Sequence, residues 1–197
     1  MKKVIVVLCM MCCLVGAFAK TNTFEIGYGF NDILETVKYD GTRVKTNLLG
    51  TGFVLAGSTV KDGEAIGTYA SVGFNMPQKI KLTVNGESAF ATKNDFSQLW
   101  SLDLLVGSCF DIVKTERNVL TVAAGYHMAL TMIASEDDVT LVPSSGLGVN
   151  LSYAYYLTDG FYVKVGSDFA YDFYSVINQA TLSMLFVTPK ISIGFRN

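Results

Sequence analysis

Over residues 146–174 the chain alternates between apolar and small or polar positions with a period of two. Leu147, Val149, Leu151, Tyr153, Tyr155 and Leu157 fall on one face, and Gly148, Asn150, Ser152, Ala154 and Tyr156 on the other. After Thr158-Asp159-Gly160 the rhythm resumes. Phe161, Val163, Val165, Phe169, Tyr171 and Phe173 then stand against Tyr162, Lys164, Gly166, Asp168, Ala170 and Asp172. Successive side chains of a strand point to opposite faces, so two such runs about an Asp-Gly turn predict an antiparallel hairpin. Each run is about 10 residues long, enough to cross a bilayer obliquely, whereas soluble strands average about 5–6. The second face is small and sparsely charged, which suits a crowded interior better than water. Aromatics (Tyr155, Phe161, Tyr171 and Phe173) sit toward the ends of the apolar face, where membrane girdles lie. The hairpin reads as transmembrane.

The same pattern recurs along the chain. It predicts strands over 23–31, 46–58, 66–76, 100–110 and 119–132, then the two of the hairpin, then an eighth over 182–195. An even count lets a single-chain barrel close with both termini at one end. The second strand is apolar on both faces and has the least defined register. Connections after strands one, three and five are long (34–45, 77–98 and 133–145), and those after two, four and six are short. That asymmetry predicts brief periplasmic turns, longer outside loops and a periplasmic N-terminus. Two loops have features of their own. Segment 34–45 is expected to continue the barrel as a small hairpin above the membrane. Segment 77–98 alternates through Ile80-Lys81-Leu82-Thr83-Val84 before Asn85-Gly86. Pro189 conflicts with the eighth strand, because a closed barrel has no free edge to hide a missing N–H; a bulge over 187–190 is expected.

The N-terminus alters the count of what folds. Lys2 and Lys3 precede an apolar run over 4–15 and an Ala17-Phe18-Ala19 cleavage motif, so residues 1–19 read as a signal peptide and 20–197 as one barrel domain. Cleavage would remove Cys9, Cys12 and Cys13, leaving Cys109 without an intramolecular partner. It also takes two of the 15 basic residues, leaving 13 against 17 acidic ones and a net charge of −4. No basic patch remains to engage nucleic acid. An exported membrane protein lacking a spanning helix satisfies its backbone groups in lipid only as a closed barrel.

With these features the chain after residue 19 resembles the small eight-stranded outer-membrane barrels, the OmpX, OmpA-membrane-domain and OmpW-like group, and uncharacterised treponemal members in particular. The resemblance rests on the signal peptide, the eight alternating strands and the final ISIGF. It implies the outer membrane as location, the lipid bilayer as surroundings, and assembly machinery that recognises the C-terminal strand. Such proteins usually end on an aromatic residue, whereas here Phe195 is followed by Arg196 and Asn197. It implies no cofactor and no catalytic residue.

Inward parity collects the charges Glu25, Asp103, Asp111, Lys164, Asp168, Asp172, Lys190 and Arg196. They would either line a water path or pair with one another to plug the lumen; an eight-stranded interior is just wide enough for side chains to fill it, which favours the plug. Glu25, Lys164 and Lys190 are expected to cluster, with Asp168 balancing the extra positive charge. His127, the one histidine, is expected in the lumen. Lipid A deacylases of similar architecture carry His-x-Ser on one strand, but position 129 is Ala129, so an inert histidine is favoured over a general base. One His and one Cys with scattered carboxylates lack metal-ligand spacing. Glu136-Asp137-Asp138 departs from calcium-loop patterns and reads as a solvated acidic loop. Gly27-x-Gly29 and Gly146-x-Gly148 open no helix, so they read as small inward residues and not phosphate loops. The expected role is a non-enzymatic barrel whose long loops meet an extracellular ligand or surface. The alternatives are a channel for small solutes and a lipid-modifying enzyme. Arg at Leu151 or Val165 is expected to impair assembly more than Arg at Asn150.

Overall fold

The computed structural model describes residues 23–39, 42–60, 66–135, 139–175 and 181–196. The expected signal peptide, the Lys61-Asp62-Gly63 turn and Glu136-Asp137-Asp138 lie outside them. Among the described residues there are nine strands: β1 (Thr23–Tyr39), β2 (Thr42–Thr59), β3 (Ile66–Val84), β4 (Glu87–Thr92), β5 (Gln98–Lys114), β6 (Asn118–Ala134), β7 (Val139–Thr158), β8 (Phe161–Ser175) and β9 (Thr181–Arg196). The sheet runs β2-β1-β9-β8-β7-β6-β5-β3-β4, and pairing of β2 with β3 closes eight of the strands into an antiparallel barrel. β4 remains outside that ring as the return of a β3–β4 hairpin, followed by a 3-10 turn at Lys93–Asp95.

Register fixes the barrel's geometry. Paired residues lead from Leu34 through Leu185, Tyr171, Leu147, Tyr126, Val106, Ala70 and Gly57 back to Phe24, a stagger of about 10 residues from 34 to 24. Eight strands with that stagger tilt by about 40°, so each residue climbs roughly 2.5 Å along the axis. The 10 residues between Phe24 and Leu34 therefore span about 25 Å, the height of a membrane band. Over it the outward residues are mainly apolar, with Ile26, Phe30, Phe53, Val149, Phe169 and Ile191 all exposed and Asp32 close to the far edge. Aromatic pairs sit toward both rims: Phe161–Phe195 with ring centroids 5.3 Å apart near the termini, and Phe74–Trp100 at 6.2 Å toward the far end.

Most strands outrun this band at the far end. β1 and β2 stay paired as far as Tyr39↔Thr42, so the expected loop over 34–45 is largely hairpin. β3 runs to Val84, and Asn85 and Gly86 turn the chain at φ 50 and 95, the left-handed pair that a two-residue hairpin loop requires. Pro189 is accommodated without a bulge. Its pairing with Ser167 of β8 is kept, while β1–β9 pairing lapses between Gly29↔Lys190 and Asp32↔Val187 with no change of register. Register shifts fall elsewhere, at Leu49/Gly50, Asp111/Val113, Ser145/Gly146 and Tyr156/Thr158.

The interior is layered. At the far end Ile33, Leu48, Ile80, Leu99, Val142, Leu182, Met184 and Phe186 form a buried apolar plug. Near the termini Tyr156 and Tyr162 stack at 5.0 Å beside Val119 and Ala154. Polar side chains fill the space between.

Candidate functional site

The middle layer is the polar centre of the molecule, and the inward parity of seven strands builds it. On one wall Glu25 of β1 accepts hydrogen bonds from Lys164 Nζ of β8 at 2.8 Å and Ser192 Oγ of β9 at 3.0 Å. Ser192 is the residue opposite both Gly27 and Lys164, so it lies between the two charged side chains. Lys190, two positions deeper on β9, donates instead to Asp168 at 2.5 Å and to Tyr69 Oη at 3.3 Å, reaching across the barrel to β3. Asp168 also accepts from Asn150 Nδ2 at 2.5 Å, and Asn150 Oδ1 accepts from Ser152. Lys164 Nζ stands 5.9 Å from the centre of the Tyr69 ring, close enough for cation–π attraction. Glu25, Lys164, Lys190 and Asp168 thus form two ion pairs joined through Tyr69. The second pair places Lys190 on Asp168 and not on Glu25.

A second group occupies the far half of this layer. Asp172 is shared by His127 Nδ1 at 2.8 Å and by Ser144 Oγ at 2.5 Å. The His127 ring packs on Phe186 of β9, three strands away, with centroids 4.8 Å apart. Asp103 accepts from Asn75 Nδ2 at 2.6 Å, and its carboxylate fills the place that a side chain at Gly73 would take. Asp111 accepts from Thr121 at 2.7 Å near the termini. Beside it Arg196 lines a cavity of about 40 Å³ together with Thr23, Ser58, Tyr162 and Lys164, room for about two or three water molecules.

The inward charges therefore comprise two ion pairs linked through Tyr69, the His127–Asp172 contact, and the carboxylates Asp103 and Asp111 held by Asn75 and Thr121. Bridging contacts between opposite walls, Tyr69 to Lys190 and His127 to Phe186, fill the bore. Alternation alone could not place Asn75, Ser144, Asn150 and Tyr69 as partners, since any small or polar residue on the inward face reads alike. Among the described residues no group of His, Cys, Asp and Glu has the arrangement of a metal centre.

Beyond the band, Glu35 is buried at the far end between Thr46 and Met184, and burial raises its carboxyl above the ordinary range. The folded state then favours the protonated form, so this group's contribution is greatest at low pH and is lost as pH rises through the ordinary carboxylate range and beyond. Glu35→Gln is expected to raise stability at pH 7 and to flatten the fall in stability between about pH 4 and pH 7, read from unfolding midpoints of both proteins.

No protein-family model matches the chain, and no curated protein matches it significantly. Solved structures match over nearly its whole length. Neisserial surface protein A (NspA) is 9% identical, with 88% of this chain and 97% of that one covered at a TM-score of 0.55. The outer membrane protein OprG from Pseudomonas aeruginosa is 14% identical, covering 90% and 97%, at 0.56. The outer membrane protein AlkL, solved in lipid bilayers, is 10% identical, covering 90% and 92%, at 0.50. None of these three supports the treponemal likeness. What they share with the chain is architecture: it has the fold of the small eight-stranded outer-membrane β-barrels.

Proposed function

We propose that the protein is a non-enzymatic outer-membrane barrel that presents its far-end hairpins to the outside and engages another surface or envelope component with them. The observation that carries this reading is the β3–β4 hairpin. Phe90, paired with Lys81 partway down the hairpin, is 78% exposed, with Lys81 Nζ 5.8 Å from the ring centre. β4 pairs with β3 alone among the described residues, so one edge of it presents open backbone groups. A large exposed aromatic beside an open strand edge suits docking against a partner's strand or apolar surface. The filled bore weighs against the channel reading. Against the enzyme reading, Ser144 donates to Asp172 and not to His127, so this pair is not arranged to pass a hydroxyl proton to the imidazole.

The test displays wild type and Phe90→Asp on cells lacking other adhesins and measures attachment to cultured epithelial cells and immobilised matrix proteins. The variant is expected to attach severalfold less while showing the same heat-dependent gel mobility. Attachment by wild type no greater than by empty cells, or equal attachment by both proteins, overturns the reading.

A further inference from the structure

Five cations that lie scattered in the sequence are gathered by register on the outer face of the far end. Lys38 of β1 pairs directly with Arg43 of β2, and Lys45, which pairs with Thr36, is diagonal to Lys38. On β3, Lys81 is diagonal to Lys45, which pairs with Thr83, and Lys79 stands two residues from Lys81 on the same face. The alternate residues Ile33, Leu48 and Ile80 are buried inward, whereas all five cations are exposed. Direct and diagonal neighbours on one face of a sheet have Cβ atoms about 5–8 Å apart, so the five form a continuous strip. Among the described residues of β1, β2 and β3 from Asp32 outward, Asp32 itself is the one acidic residue of this parity.

The strip stands at the height of lipid heads. The barrel's stagger raises each paired step from β1 toward β3 by about 3 Å along the axis. Relative to Leu34 at the edge of the apolar band, Lys79 then lies about 1 Å above, Lys81 about 6 Å, Lys45 about 8 Å, Lys38 about 10 Å and Arg43 about 13 Å. The headgroup layer adds about 5–8 Å to each side of the hydrocarbon, and long cationic side chains bend toward it. The face points sideways, into the surrounding leaflet. Its sign is opposite to that of the whole chain, which carries a net charge of −2. Like charges directly opposite on a sheet, as Lys38 and Arg43 are, destabilise it unless an anion lies between them.

We propose that this strip binds the phosphates of anionic lipids in the leaflet from which the far end emerges, and holds them against the wall in preference to zwitterionic lipids. Lys79, Lys81 and Lys45 meet phosphates at the hydrocarbon boundary, and Lys38 and Arg43 meet anionic groups farther out. A zwitterionic head brings its own cation to the strip and gains less there. The strip lies apart from the open edge of β4, so lipid binding does not depend on what that edge engages.

Trp100, stacked with Phe74 at the same rim, lies on β5 beside β3, so its fluorescence reads the lipid next to the strip. The folded chain is embedded in phosphatidylcholine vesicles containing about one-fifth phosphatidylglycerol. Bromine, a quencher, is carried on the acyl chains of either the phosphatidylglycerol or an equal amount of the phosphatidylcholine. For wild type, brominated phosphatidylglycerol is expected to quench about twofold more or better. That preference should survive millimolar inorganic phosphate and vanish in about 1 M sodium chloride, where the Debye length is about 3 Å. Lys45→Gln combined with Lys79→Gln should bring the two lipids close to parity, whereas Arg117→Gln, in the turn before β6 at the other rim, should keep the preference. Equal quenching by the two lipids in wild type, or loss of the preference to phosphate, overturns the proposal. Binding of soluble dextran sulfate without any lipid preference also overturns it, and assigns the face to a polyanion from outside. Because the preference is read on wild type, failure of a variant to fold leaves the test intact.

Discussion

Glu25→Ala is expected to lower the unfolding free energy by about 3–5 kcal/mol, because it leaves the buried Lys164 ammonium without its partner. Glu25 is 2% exposed and Lys164 7%, so little water is at hand to compensate. Ser192 also loses the acceptor for its hydroxyl. Removing both charges with Glu25→Ala and Lys164→Met should cost less than Glu25→Ala alone, since the penalty lies in the stranded charge more than in the lost pair. Glu87→Ala, on the exposed hairpin strand, serves as the control and should stay within about 0.5 kcal/mol of wild type. Guanidinium unfolding followed by the fluorescence of the one tryptophan, Trp100, measures all four proteins. An equal effect of Glu25→Ala and Glu87→Ala would show that the ion pair contributes nothing to stability.

The second large effect is expected on the outside of the wall. Val149 faces outward roughly 10 Å above the Phe24 level, near mid-band, with Phe169 as its neighbour on β8. Val149→Arg should cost about 2–4 kcal/mol, whereas Leu157→Arg, at the rim by the termini, should cost about 0–1 kcal/mol. Folded yield in vesicles, scored by gel mobility with and without boiling, separates the two. Equal yields would mean that the band is misplaced along the axis. Asn150 is no tolerant control for this experiment. It is 0% exposed and hydrogen-bonded to Asp168 and Ser152, so an arginine there would meet a filled interior. The sequence suggested the opposite, because small inward residues look alike whether the bore is open or closed.

That ambiguity marks the boundary of what alternation can carry. Inward and outward faces were readable in most barrel strands, least in β2 with its two apolar faces, since lipid on one side and a crowded interior on the other impose opposite chemistry. Strand ends were not. β1 continues through Glu35, Thr36, Val37 and Lys38, where water replaces lipid outside and the contrast between faces fades. The far-end plug was hidden for a related reason: Leu48 and Ile80 are apolar and inward in segments whose outward residues include Leu49 and Leu82's neighbour Lys81, so no simple polarity contrast survives. The Glu25–Lys164 pairing followed from counting residues from the strand ends. Lys190 joins the same network through Asp168 and Tyr69 and not through Glu25, because register puts it opposite Gly166 and Gly29, two residues deeper than Ser192.

The lapse of pairing at Pro189 also bears on how the barrel comes together in time. Seven of the eight wall contacts join strands that follow one another along the chain, save for the short β4 excursion, and can zip hairpin by hairpin. The contact between β1 and β9 is different. It joins the two ends of the chain, so it carries the largest loop-closure entropy and waits for the others to form. Pro189 removes a ladder hydrogen bond from that one contact. The seam that closes last is therefore also one whose pairing is interrupted in mid-strand, and reopening of that seam, when it occurs, should begin at the gap.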